Sequence, residues 1–128
     1  MRNFAVIASC LVMFTMLGCE QSTVRGPEGE QLTITSPPAL TLHRGMDQPL
    51  EVSIDRKNTT GPVTVSISQL PNGVTTRNTT QSVETDKAVF ILMASDNANL
   101  VNNQQVKIVS KGANGVQTTQ YLSVNVEK

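Results

Sequence analysis

Apolar and polar side chains alternate in short segments along most of the chain beyond residue 30. The clearest segment covers residues 61–74. Its central positions alternate between apolar and hydroxyl side chains: Val63, Thr64, Val65, Ser66, Ile67 and Ser68. A period of two predicts a half-buried strand, because successive side chains of a strand point to opposite faces. Pro71-Asn72-Gly73 then predicts a chain reversal, because proline presets φ while Asn and Gly tolerate positive φ.

The same alternation predicts further strands before and after this segment. Their apolar positions are Leu32, Ile34, Leu40, Leu42, Leu50, Val52, Ile54, Val106, Ile108, Leu122, Val124 and Val126. Ser36-Pro37-Pro38 interrupts the first strand, and we expect the chain to continue on a second sheet after the prolines. Residues 75–77 and 81–83 are short polar strands at best. Gly112-Ala113-Asn114-Gly115 predicts a hairpin turn, since Asn-Gly favours the backbone angles of such turns.

The pattern amounts to seven or eight short strands over about 100 residues, with no convincing amphipathic helix. The sequence therefore predicts an all-β fold, a β-sandwich over residues 31–128. The hydrophobic fraction of 38% suits sheets that each have one solvated face. Because Phe90 and Tyr121 are the only aromatic residues beyond residue 18, the core must consist mainly of Val, Ile and Leu.

Three runs resemble the bacterial immunoglobulin-like domains of exported proteins. The runs are residues 40–45 (LTLHRG), 50–54 (LEVSI) and, most clearly, 60–74 (TGPVTVSISQLPNGV). Similar runs recur in exported lipoproteins and large surface proteins of planctomycete-type bacteria. The resemblance covers residues 31–127 and implies an immunoglobulin-like β-sandwich of seven or eight antiparallel strands, without shared catalytic residues. The Cys…Trp…Cys core of antibody domains is absent, since the chain has no Trp.

Residues 88–94 form the most apolar run beyond the N-terminal segment. One face of a strand here would carry Phe90 and Leu92, and the other would carry Val89, Ile91 and Met93. These last three residues are called the apolar stripe below. We favour a strand that is buried on both faces or partly covered by a loop. The alternative is an exposed stripe that docks a protein partner in the envelope.

Residues 1–18 indicate an export signal. Arg2 gives it a positive start, and the apolar residues 4–17 are shorter than the roughly 20 that a membrane-spanning helix needs. Met16-Leu17-Gly18-Cys19 resembles a bacterial lipobox, whose cysteine is lipidated and becomes the first residue of the mature protein. The resemblance implies lipidation of Cys19 and a lipid anchor in the bacterial cell envelope, on its periplasmic or outer-surface face. An ordinary cleaved signal or an uncleaved anchor are the alternatives.

Residues 19–30 are predicted to be a flexible tether, because polar residues and glycine dominate and little apolar surface is available for burial. The chain has no cysteine beyond Cys19. The predicted domain therefore has no disulfide, no cysteine-ligated zinc and no thiol nucleophile. The formal net charge is zero, and no cluster of Lys and Arg indicates nucleic-acid binding.

Candidate chemistry in the domain is sparse. His43 is the only histidine, and the chain lacks the Gly-x-Ser-x-Gly motif of a nucleophile elbow. Asp47 and Asp55 flank one predicted strand. The loop around Asp96 offers oxygen atoms of the type that calcium prefers, but no second acidic residue stands nearby. We therefore expect no catalytic residue, no metal and no cofactor.

The sequence favours a non-enzymatic, membrane-anchored module that binds an envelope protein or serves as a structural spacer. The alternative is a carbohydrate-binding module, for which a β-sandwich is also suitable. Tyr121 would then be its sugar platform, although such sites commonly present more than one ring. An envelope enzyme is disfavoured, because neither a nucleophile–base pair nor a metal-ligand set is found in the sequence.

Overall fold

The structure, a computed structural model, describes residues 20–128. These residues form ten strands and a single 3-10 turn at Ala113–Gly115. The strands are β1 (Glu20–Arg25), β2 (Gln31–Ser36), β3 (Ala39–His43), β4 (Asp47–Lys57), β5 (Val63–Ser68), β6 (Val74–Thr76), β7 (Thr80–Val83), β8 (Lys87–Ala94), β9 (Val101–Lys111) and β10 (Gln117–Glu127). The all-β prediction is confirmed. The count of ten exceeds the expected seven or eight because short polar segments also pair as strands.

The strands form two five-stranded sheets that pack in a sandwich-like arrangement. The hydrogen-bonded order is β1-β2-β4-β8-β6 in sheet A and β3-β10-β9-β5-β7 in sheet B. Neighbouring strands are antiparallel, except that β3 runs parallel to β10. Most neighbours in each sheet are distant in sequence, so the fold depends on non-local pairing.

Apolar side chains from both sheets fill the space between them. In β5 the predicted faces are found: Val63, Val65 and Ile67 are buried, whereas Ser68 is exposed. The largest fully buried side chains are Phe90, Leu32, Ile34, Leu42, Leu50, Leu92, Ile108 and Leu122. Each such side chain contributes roughly 1.5–3 kcal/mol by leaving water, and this burial is the main stabilising term of the fold.

The predicted change of sheet after Ser36 and the predicted turn at residues 71–73 are also present. β2 ends at Ser36, and after two prolines β3 begins in the other sheet. Pro38 still serves as an acceptor, because the Ser123 amide donates to its carbonyl oxygen at 3.1 Å. At the turn before β6, the Val74 amide donates to the Pro71 carbonyl at 3.0 Å, and Gly73 has a φ of 86°.

The prediction of a flexible tether over residues 19–30 is wrong at residues 20–25. Residues 20–25 form β1, which pairs with β2 over its full length, from Glu20 opposite Ser36 to Arg25 opposite Gln31. Side-chain hydrogen bonds join three pairs across these strands: Gln21–Thr35, Thr23–Thr33 and Arg25–Gln31. Polar cross-strand pairs thus stabilise a strand that has little apolar content.

The export signal and the lipobox, including Cys19, lie outside the described residues. Over residues 20–128, the structure holds no helix that is long and apolar enough to cross a membrane. The lipid anchor therefore stays a prediction from the sequence.

Candidate functional site

The apolar stripe lies on the outer face of β8, in sheet A. Phe90 and Leu92 point into the core, as predicted, and are 1% and 0% exposed. Val89 and Ile91 are 38% and 42% exposed, and Met93 is half-buried. The favoured expectation of a strand buried on both faces is therefore wrong at Val89 and Ile91. Of the three stripe residues, only Met93 is partly covered.

The stripe lies on the outer face of sheet A, where outer-face residues of the neighbouring strand β4, such as Glu51 and Ser53, are also exposed. In addition, part of β8 lacks a neighbouring strand on one side. On one side β4 pairs with β8 from Lys87 to Met93. On the other side β6 pairs only with residues 92–94, since its ladder ends where Thr76 faces Leu92. Within residues 20–128, no strand pairs with residues 87–91 of β8 on that side.

A side chain takes the place of the missing strand. The Nε2 atom of Gln81 donates to the carbonyl oxygen of Val89 at 2.7 Å. Gln81 belongs to β7 of sheet B, so this hydrogen bond also joins the two sheets on the side of the sandwich where β6 and β7 are the edge strands. Capping an edge in this way limits pairing with other chains.

A cavity of about 160 Å³ opens beside the stripe. Its lining consists of the three stripe residues together with Asp47, Thr76, Arg77, Asn78 and Gln81. Drug-sized ligands occupy pockets of about 300–1,000 Å³, so this cavity is small for an organic cofactor. A single side chain from a partner fits it better, with apolar contact to the stripe and a polar rim.

Tyr121 stands on the outer face of sheet B and is 49% exposed. Its cross-strand neighbour in β9 is Lys107. Further along the same face, the Ser123 hydroxyl donates to the Asn103 side-chain oxygen at 2.9 Å. The other aromatic residue among the described residues, Phe90, is buried, so Tyr121 is a single ring without a second platform.

The remaining candidates from the sequence do not converge. His43 lies exposed at the end of β3, and its Nδ1 atom is 3.3 Å from the Lys128 carbonyl oxygen. Asp47 and Asp55 lie at opposite ends of β4. The side chain of Asn97 beside Asp96 accepts a hydrogen bond from Ser95 at 2.9 Å. No group of three or more His, Cys, Asp or Glu within the described part of the chain could hold a metal ion.

The structure reveals one buried carboxyl group that the sequence did not single out. Glu30 is only 3% exposed, and its Oε1 atom accepts a hydrogen bond from the Glu28 amide at 2.9 Å. Nearby, the Asn58 side chain donates to the Gly29 carbonyl at 3.1 Å. The first bond lies within the turn between β1 and β2, and the second joins that turn to the loop after β4. A lone charged residue has no periodic signal, so the sequence pattern could not indicate its burial.

A scan against protein-family models gives no match, and a search of the curated proteins gives none either.

Proposed function

We propose that the chain is an exported lipoprotein, anchored through Cys19 to the cell envelope, whose immunoglobulin-like domain is a non-enzymatic binding or structural module. The observation that carries the proposal is the exposed apolar stripe beside its cavity, on a strand whose other face is fixed in the core. A rigid sheet that presents an apolar patch with a polar rim is typical of a protein-binding surface.

The strand order supports the immunoglobulin-like assignment. In the simplest immunoglobulin domains, strands A, B, E and D form one sheet and strands C, F and G the other. Lettering β2, β4, β5, β6, β8, β9 and β10 as A to G reproduces both orders, A-B-E-D in sheet A and C-F-G in sheet B. The strands β1, β3 and β7 are then additions at the edges.

The stripe and its cavity support an extended segment of an envelope protein as the partner. Such a segment would place apolar side chains on Val89 and Ile91 and insert one side chain into the cavity. Arg77 and Asp47 at the lining would provide polar contacts that orient it. The partner segment is expected to combine apolar and polar residues for this reason.

A carbohydrate-binding module is the second candidate, and the exposed ring of Tyr121 supports it. Aromatic faces bind the apolar faces of sugars, and the amide and hydroxyl groups beside Tyr121 could bind sugar hydroxyls. The two candidates use different sheets. Binding on a glycan array that Tyr121→Ala abolishes and Ile91→Asp leaves intact would favour the carbohydrate module.

The anchor is tested by fractionating bacteria that express the full chain. We expect the wild-type protein in the detergent-soluble membrane fraction, because each acyl CH₂ that enters the bilayer contributes about 0.8 kcal/mol. Cys19→Ser is expected to move the protein to the soluble fraction. Cys10→Ser, which alters the other cysteine of the chain, is the matched control and should leave the protein with the membrane. Unchanged membrane association of Cys19→Ser would contradict the lipid anchor.

A further inference from the structure

We infer that the anchored domain lies on its side, with one flank of the sandwich against the lipid headgroups. This inference rests on the proposed lipid anchor at Cys19. The flank consists of exposed, uncharged residues of β1, of the crossing from β2 to β3, and of β10, and it is called the neutral flank. Its exposed members are Gln21, Thr23, Pro38, Ala39, Thr119 and Tyr121.

The described chain leaves no spacer between the lipid and the domain. β1 begins at Glu20, the residue after Cys19, and is paired with β2 from that first residue. In the sequence no residue separates Cys19 from Glu20, so the chain has no length there for a spacer. A flexible tether of ten residues would instead allow an end-to-end distance of roughly 17 Å and any orientation.

β1 begins beside the middle of the sandwich and not at one of its ends. Glu20 lies opposite Ser36, and the Ser36 hydroxyl donates to the Gln120 side-chain oxygen at 3.3 Å. Gln120 is an interior residue of β10, and its Nε2 atom donates to the Ile34 carbonyl at 3.1 Å. The entry point of the chain is therefore at the long side of the domain.

Tyr121 belongs to this same long side. β3 pairs with β10 only at residues 123–127, so the preceding part of β10 is itself the edge of sheet B. β1 lies next to that part, as the contact of 2.6 Å between the hydroxyls of Ser22 and Thr118 shows. Tyr121 thus lies on the edge strand of the flank at which the chain enters the domain, with its side chain on the outer face of sheet B.

The charge distribution fits a surface that faces headgroups. Residues 21–24, 31–42 and 116–126 contain no Asp, Glu, Lys or Arg. Lys107, the cross-strand neighbour of Tyr121, belongs to β9, one strand in from this edge. Charged side chains lose favourable hydration when water is excluded, whereas hydroxyl, amide and proline surfaces lose much less. Tyrosine is enriched where one side of a ring is apolar and the other is wet, as at a membrane interface.

The open edge of β1 gives a further reason. Edge strands are commonly protected by charges, by proline or by a covering element. Between Gln21 and Val24, β1 has neither charge nor proline, and within residues 20–128 its outer side pairs with no strand. A bilayer surface at this flank would keep other chains away from that edge.

Tyr121 provides a built-in probe, because the chain has one Tyr and no Trp. The full lipidated protein is reconstituted in vesicles of phosphatidylethanolamine and phosphatidylglycerol, with and without a lipid that bears a nitroxide at its headgroup. We expect the nitroxide lipid to lower tyrosine emission at least twofold. A ten-residue Gly-Ser segment inserted between Cys19 and Glu20 should restore most of the emission while the protein stays on the vesicles.

A fluorophore on the opposite side of the domain is the matched control for Tyr121. Ser82 is exposed on β7, and Ser82→Cys adds a free thiol to a mature chain whose Cys19 carries the lipid. A fluorophore there should keep its emission when the nitroxide lipid is present. Equal quenching at both positions, or an unquenched Tyr121 on vesicle-bound protein, would overturn the side-on orientation. Dimers that are joined through β1 after chemical cross-linking of the vesicle-bound protein would also overturn the side-on orientation.

Failure of the anchor would be visible separately in the same samples. Protein that does not float with the vesicles overturns the lipid anchor and the orientation together. Protein that floats but shows no quenching overturns the orientation alone and leaves the anchor standing.

Discussion

The two edges of sheet A are built in opposite ways. β6 is three residues long, Arg77 follows its end, and the Gln81 side chain caps the carbonyl of Val89 beyond it. β1 is six residues long, is paired along its whole length on one side, and has no charge between Gln21 and Val24. The first edge is closed by the domain itself. The second edge depends on what lies outside the domain.

This difference separates two kinds of surface. The edge at β8 combines an apolar stripe with charged neighbours, among them the exposed pair Glu51 and Lys87 at 3.6 Å. An exposed pair of this kind contributes little stability, but it keeps the surroundings of the stripe polar and defines a patch. Among the exposed members of the neutral flank, Tyr121 is the one large apolar side chain. The composition of the neutral flank suits a lipid headgroup layer better than a protein docking site.

The largest expected effect concerns the two faces of β8. Phe90 is 1% exposed and Val89, next to it, is 38% exposed. Phe90→Ala is expected to lower the free energy of unfolding by about 3–5 kcal/mol, through lost burial and the cavity left behind. Val89→Ala should cost less than about 1 kcal/mol. Urea unfolding of both variants measures the difference. Equal losses would show that the outer face of β8 is part of the core.

An intermediate effect is expected at the turn that leads into β6. Gly73 has a φ of 86°, and a Cβ atom there would lie 2.6 Å from the Cα atom of Ala98. Gly61 has a φ of 100°, but a Cβ atom there would meet nothing within 4 Å. Both alanine variants lose the backbone freedom of glycine, and only the first one also collides with a backbone atom.

Gly73→Ala is therefore expected to cost about 2–4 kcal/mol, and Gly61→Ala about 1 kcal/mol. Thermal unfolding of the two variants gives the comparison. Because the Gly73 carbonyl accepts a hydrogen bond from the Ser95 amide at 2.9 Å, the loss should also loosen β6 against β8. Faster amide exchange at Thr75, with unchanged exchange in β1, would place the damage at one edge only. Similar losses in both variants would show that the contact with Ala98 relaxes freely.

The two edges of sheet A are also the parts of the fold that the sequence predicted least well. Strict alternation identified the inward faces of β5, β9 and β10, because burial on one face imposes a period of two. β1 was missed, since hydroxyl and amide pairs across strands leave no such period. Exposure of the stripe depends on which face of sheet A stays uncovered, which is a property of the non-local arrangement of the strands. Burial of Glu30 likewise depends on loops that are distant in sequence.

The smallest effect on stability, with the largest effect on binding, is expected for Ile91→Asp. Ile91 is 42% exposed, so a carboxylate there stays hydrated and should change the free energy of unfolding by no more than about 1 kcal/mol. In a pull-down from detergent-solubilised envelopes, recovery of the partner should fall at least about tenfold, the equivalent of about 1.4 kcal/mol. The reason is that the carboxylate would have to be desolvated against apolar side chains.

Thr23→Asp places the same charge on the neutral flank, at another exposed strand position, and is the matched control. It should leave partner recovery unchanged, because the proposed protein site lies at the opposite edge of sheet A. Equal recovery with Ile91→Asp and with the wild type, in a protein that unfolds normally, would exclude the stripe as the binding surface. Loss of the partner with Thr23→Asp alone would move the protein site to β1. The edge at β1, and not the edge at β8, would then be the protein-binding edge of sheet A.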